Sequence, residues 1–254
     1  MLITDKAWTT YIDMLRKVHT GAAQKMVKYL NTHEWWRNEQ TKKEAVDYAF
    51  ALATQYGEAA SAAACEFCDI IAADFSGALP AAIPADTATY NEVARAVYGT
   101  MKYDNVELIA GAVERLVKLA GVDTTLNYAI QNGGEWAWVP HGDTCAFCIT
   151  LASRGWQTAS KKALKNGHAE HIHANCDCSY MIRHSKDLEV SGYQPEKYQR
   201  MYYDAKGRSA KAKINSMRRE FYAENREEIL EQKASAYEKR KERESDKAEE
   251  INVD

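Results

Sequence analysis

The chain of 254 residues is 46% hydrophobic and 27% charged, with a formal net charge of -3. That is enough apolar material for at least one sizeable core in one or two domains, and it excludes a wholly disordered protein. The first 21 residues hold no long apolar run behind a basic start, and no later window reaches the roughly 18 uncharged apolar residues that cross a bilayer. The expectation is a soluble protein with no membrane partner, kept in the cell that makes it.

The predicted elements begin with an amphipathic helix. From Trp8 the apolar residues Tyr11, Ile12, Leu15, Val18, Ala22, Met26, Val27 and Leu30 recur at steps of three and four, the spacing of one helix face. A second helix is predicted to open at a capping box, Thr41-x-x-Glu44, and to run to Gly77. Alanine and apolar residues surround it on most sides, so it should be central. After the loop "SGALPAAIPAD", Thr89-x-x-Glu92 and Asp104-x-x-Glu107 mark the starts of helices near 90–101 and 105–120.

At "NGGEWAWVPHGD" the pattern changes. Asn132-Gly133-Gly134 breaks the helix, Trp136 and Trp138 alternate as on a short strand, and Pro140 and Gly142 force a turn. Past Pro195 the chain is predicted to be helical again and highly charged, with a thin apolar set that includes Ile214, Met217 and Phe221. The fold class expected is mainly α: a helical domain at 1–130, a small zinc-stapled module of loops and short strands at 131–190, and a basic, then mixed-charge helical tail at 191–254.

Residues 141–180 contain four of the six cysteines and four of the seven histidines. In a reducing cytosol, clustered cysteines point to metal binding or thiol chemistry before a disulfide framework. Cys145-x-x-Cys148 is followed, after a 24-residue gap, by His173-x-x-Cys176-x-Cys178. Two thiolates on a tight loop and a second pair from a distant segment complete the tetrahedron of a closed structural zinc site, and soft sulfur with one imidazole selects zinc over magnesium or calcium. The preferred ligands are Cys145, Cys148, His173 and Cys176, with Cys178 as the substitute. The competing readings are cysteines packed in a small reduced core, a thiol nucleophile beside a histidine, and a zinc-braced nuclease using His168 or His171. His168-Ala169-Glu170 repeats the H-x-E of zinc deaminases, but there H-x-E precedes C-x-x-C, the reverse of the order here. Cys65 and Cys68, three apart in an alanine-rich helix, read as packing residues.

The net charge averages over unlike regions. Residues 1–140 hold 12 Lys/Arg against 17 Asp/Glu, whereas 197–219 hold eight cations, Lys197, Arg200, Lys206, Arg208, Lys211, Lys213, Arg218 and Arg219, against Asp204 alone. Interleaved with Tyr198, Tyr202 and Tyr203, this block is a candidate for DNA contact, since cations neutralise phosphate and tyrosines stack on bases. Over 197–254 the count is 15 basic to 13 acidic, so a solvated, internally balanced helix is the plainer reading.

The segments "WAWVPHGDTCAFCITLASRGW" and "HIHANCDCSY" together resemble the C-terminal signature of MuF-like phage minor head proteins, also called head morphogenesis or minor capsid proteins. The shared features are the tryptophan lead-in, the C-x-x-C knuckle, "LASRG" and the closing H-x-N-C-x-C, over about 45 residues from Trp136 to Tyr180. Where that motif often has proline before the histidine and arginine between the cysteines, this chain has Ile172 and Asp177, which takes a cation out of the knuckle. The resemblance implies a protein made in the infected bacterium and carried in the virion head near the portal. It implies portal or major capsid protein as partner and assistance to head assembly or DNA passage. Some relatives are labelled capsid maturation proteases; no catalytic set is assignable here beyond the expected zinc ligands. The chain is therefore expected to be non-enzymatic, with a capsid maturation protease or zinc-braced nuclease as the alternative.

Overall fold

In the computed structural model the described residues are 2–3, 5–73, 75, 79–141, 145–162 and 178–224, with helical positions at 226, 227, 230, 231, 234 and 238. Four helices build the first half: α1 (Asp5–Thr32), α2 (Glu39–Ala73), α3 (Tyr90–Met101) and α4 (Val106–Gln131). The stripe on α1 is buried as its spacing predicts, with Trp8, Tyr11, Ile12, Ala22, Met26 and Leu30 all at 4% exposure or less. Each such buried large apolar side chain contributes about 1.5–3 kcal/mol. α2 and α4 are enclosed on more sides, which explains why both lack a clean polar face. They cross closely because the contact is built from small residues: a Cβ on Gly121 would lie 3.3 Å from the Ala60 carbonyl oxygen.

The helix starts follow local capping chemistry. Thr89 and Glu92 form the predicted capping box of α3. The box placed at Thr41-x-x-Glu44 is corrected: α2 begins at Glu39, and its cap is Asn38, whose Oδ1 accepts from Thr41 N at 2.9 Å while Thr41 Oγ1 accepts from Asn38 N at 3.2 Å. Thr41 thus serves three residues inside the turn rather than as its cap. The cap of α4 shifts by one residue to Asn105, which accepts from Leu108 N. α4 also runs on past 120 to Gln131, because Gly121 is used for close packing and not as a stop.

The proline-containing stretch before α3 cannot bond to itself and is strapped to the bundle by side chains. Ala82 N donates to Asp69 Oδ1 at 2.8 Å, Ala85 N to Thr124 Oγ1 at 2.9 Å, and Tyr128 OH to the Pro80 carbonyl at 2.9 Å.

Three strands follow. β2 (Glu135–Val139) is central, flanked antiparallel by β3 (Gln157–Thr158) and β4 (Ser179–Arg183), while β1 (Leu2–Ile3) pairs parallel with β5 (Glu189–Val190). Trp136 and Trp138 lie on β2 as expected, but both faces of the strand are covered and Ala137 is buried too. One apolar cluster runs from Ile3, Trp8, Tyr11 and Phe67 through Leu126 to Trp138, Tyr180 and Val190. The sheet is therefore packed directly onto the ends of α1, α2 and α4. Short helix α5 (Ala146–Ala152) sits between β2 and two further helices, α6 (Pro195–Asp204) and α7 (Ala210–Glu224). The fold is mainly α.

Candidate functional site

The Cys/His region is organised by α5. Cys145 is its N-cap residue in extended conformation (φ -70°, ψ 159°), and its carbonyl accepts from Ile149 N at 3.0 Å. Cys148 then falls one turn on, 1% exposed. The "LASRG" motif is the helix stop: Arg154 N and Gly155 N bond back to the Leu151 and Ala152 carbonyls at 3.1 Å, and Gly155 takes φ 62°, the left-handed region that glycine enters without steric cost. Trp156 follows the turn and lies under Arg183, with the guanidinium 4.3 Å from the ring centroid. Arg183 Nε and Nη2 both reach Glu135 Oε2 at 2.7 Å, so one arginine ties β4, β2 and the exit of α5 together.

Cys178 immediately precedes β4 and is 7% exposed. Two residues on, the Tyr180 ring stands edge-on between Trp136 and Trp138, at 4.8 and 4.7 Å between centroids. Burial pushes the Tyr180 phenol above its ordinary range, with Cys148 among the neighbouring charges. Tyr198 of α6 is likewise raised, by burial first and then by Cys178. Cys148 and Cys178 are buried in the apolar cluster that Cys145 packs against. Three of the five candidate ligands thus border one apolar cluster, contributed by elements far apart in sequence. His173 and Cys176 lie outside the described residues, as do His168 and His171. Among the described residues no group of three or more His, Cys, Asp or Glu side chains is placed to hold a metal, and no disulfide forms.

Cys68 behaves as a packing residue, while Cys65 is half-buried and outside the core clusters. Cys68 is wholly buried, and burial pushes its thiol up to about 12, which leaves it without useful thiolate at neutral pH.

The structure separates the eight candidate DNA-contacting cations into two kinds. Lys213 points inward: its Nζ donates to the carbonyls of Tyr202, Tyr203 and Ala205 at 2.9, 2.7 and 2.9 Å, closing the C-terminal end of α6 where carbonyls lack helical partners. Lys197, Arg200, Lys206, Arg208, Lys211, Arg218 and Arg219 are exposed. The turn that brings α7 back on α6 depends on Gly207, at φ 129°, where a Cβ would stand 2.5 Å from Ala212 Cβ.

Sequence reasoning missed a buried polar cluster between α1 and α4. Glu114 Oε1 lies 2.9 Å from His19 Nδ1 and 3.5 Å from Lys118 Nζ, with all three side chains more than nine-tenths buried. The available signal was His19 inside the α1 stripe and Glu114 beside Val113 and Val117 of α4.

Residues 2–205 match the VG15 protein family. The chain belongs to that family, which makes it a phage protein. No curated protein and no solved structure matches it. Among the described residues no helix is long and apolar enough to cross a membrane.

Proposed function

We propose that the chain is a non-enzymatic virion-assembly protein of the MuF-like, head-morphogenesis kind. In this reading it docks on the portal or major capsid protein and assists head assembly or DNA passage, and its basic tail is the part that reaches DNA. A structural zinc ion staples residues 131–190, held by four of Cys145, Cys148, His173, Cys176 and Cys178. It acts in the host bacterial cytoplasm during assembly and in the virion head afterwards. The observation that supports the reading most is that Cys145, Cys148 and Cys178 all border one apolar cluster, at α5 and just before β4. A closed shell of four protein ligands leaves no position for a catalytic water, and metal binding supplies folding energy to a loop-rich segment.

Metal content by mass spectrometry, on the purified chain and on single Ser or Ala variants at the five positions, tests the staple. About one zinc per chain is expected, lost together with thermal stability in four of the five variants. Folded, metal-free protein would overturn it. The assembly role is tested by probing purified heads and assembly intermediates for the chain; its absence from both would sink the role. Specific cleavage of co-expressed major capsid protein, lost on Cys145→Ser, would replace it with a protease.

A further inference from the structure

The tail is balanced in composition but not in space. On α7 and at the helical positions described beyond it, a rotation of about 100° per residue puts Lys211, Asn215, Arg218, Arg219, Tyr222 and Arg226 on one face within a 100° arc. All six are exposed. Glu220, Glu224, Glu227 and Glu231, also exposed, fall on the opposite face. Over the first turns that opposite face is the one carrying Lys213, Ser216 and Met217 against the body of the protein. The basic face therefore looks away from the body over those turns, and Lys211 to Arg226 spans about 22 Å at the helical rise.

A second observation is that the cations of this face are unpaired. On α1 and α2, Arg16 is paired with Asp13, Lys42 with Glu39 at 2.6 Å and Lys43 with Asp47 at 2.7 Å, while the exposed Lys6, Lys17, Lys25 and Lys28 of α1 form no ion pair among the described residues. None of Lys211, Arg218, Arg219 or Arg226 has an acidic residue at three or four positions in either direction, and none forms an ion pair or hydrogen bond among the described residues. The glutamates that would neutralise them in the sequence are held half a turn away on the far side.

We infer that this face, from Lys211 on α7 to Arg226 just past its end, is a docking surface for double-stranded DNA, bound by its phosphates with the helix lying along the major groove. The inference rests on the proposed contact between tail and DNA and says which residues make it. Charge complementarity selects a polyanion, and Arg, Lys, Asn and Tyr are side chains that donate to phosphate oxygens. B-form DNA has a major groove about 12 Å wide that admits an α-helix, whereas the deep, narrow major groove of A-form RNA does not. An anionic membrane is disfavoured because the face opposite the cations is acidic instead of apolar. The span lies beyond residues 2–205, which match the family.

The test is fluorescence anisotropy with the purified full chain and a 5′-labelled 30-base-pair duplex of random sequence. Four phosphate contacts predict a salt slope of about 3–4 in log–log form, so raising salt from 50 to 200 mM weakens binding on the order of 100-fold. Arg218→Gln with Arg219→Gln removes about two contacts and cuts that loss to on the order of tenfold. Lys42→Gln with Lys43→Gln removes the same charge from the paired face of α2 and leaves the slope unchanged. Lys211→Gln with Arg226→Gln repeats the test on the same face, and circular dichroism melts check that each variant is folded. Failure of the unmodified chain to bind duplex DNA at 50 mM salt overturns the inference, as does an unchanged slope in both stripe variants. Equal binding of the same sequence as duplex RNA refutes the groove assignment. Phosphatidylserine vesicles capturing the chain through Arg218 and Arg219, with DNA ignored, would make it a membrane surface. Heads that contain the chain while the pure protein ignores DNA would leave the assembly role standing and remove this one.

Discussion

Replacing Glu114 by alanine is expected to be among the most damaging single changes in the helical bundle. The Glu114–Lys118 separation of 3.5 Å corresponds to an attraction of about 5 kcal/mol at an effective dielectric near 20. Taking the two ions out of water costs several kcal/mol each, so the intact cluster is close to neutral in stability. Removing the carboxylate alone keeps the cost and loses the attraction, leaving Lys118 and His19 buried without it. The expected loss is about 3–5 kcal/mol. For a chain of this size that is a fall in Tm of about 6–20 °C. Urea denaturation followed by tryptophan fluorescence gives the free energy directly. The same reasoning predicts that Glu114→Leu combined with Lys118→Met and His19→Leu returns to within about 1 kcal/mol of the unmodified chain, since an apolar set replaces an ionic one of similar volume. If Glu114→Ala costs less than about 1 kcal/mol, or if the triple variant is worse than the single, the cluster is not a desolvated network and the reasoning fails.

Asp123, half-buried on α4, has its carboxyl raised to about 6, by burial first and by Glu92 second. Its folded form therefore holds a proton that the unfolded chain has released, and stability falls as pH rises from about 4 to about 6; Asp123→Asn should gain about 1–2 kcal/mol at pH 7.5 and nothing at pH 4, by urea denaturation. Lys213→Met leaves three carbonyls at the end of α6 without their cation, and faster amide exchange over 205–217 is expected while α1 to α4 keep their protection. Gly207→Ala forces a Cβ into Ala212 at an unfavourable φ and should cost about 1–3 kcal/mol, read as the same local loss of protection. Trp156→Leu removes the surface on which Arg183 rests and should lower stability by about 1 kcal/mol, with Arg183→Leu in a double-mutant cycle showing that the two losses are not additive.

How far the sequence could be read depended on how one-sided each element is. α1 has one buried face, so its period is plain in the letters; α2 and α4 are wrapped on most sides, and their existence was legible while their ends were not. Thr41-x-x-Glu44 and Asn38-x-x-Thr41 both satisfy a capping pattern, and only the backbone position of Asn38 decides between them. Gly121 reads equally as a stop or as a contact, and the approach of Ala60, a residue 61 positions away, makes it a contact. The Glu114 cluster was missed for the same reason: a glutamate among valines and a histidine in an apolar stripe are each a weak signal until the two helices face each other.

The site divides along a similar line. Cys145, Cys148 and Cys178 stand out as candidates in the sequence because spacing is a local property, and the structure sets them one turn apart on α5 and just before β4. The charge of the tail was misleading because composition discards angle. Fifteen cations against 13 acids over 197–254 predict a neutral, solvated surface only if opposite charges can meet. On α7 they cannot, since the glutamates are set about half a turn from the arginines and a helical side chain reaches neighbours at three and four residues. Lys213 sharpens the point from the other side. It belongs to the same basic run as Lys211 and Arg218, yet two residues of helix turn it inward to close α6, and that anchoring is what holds the remaining cations facing solvent.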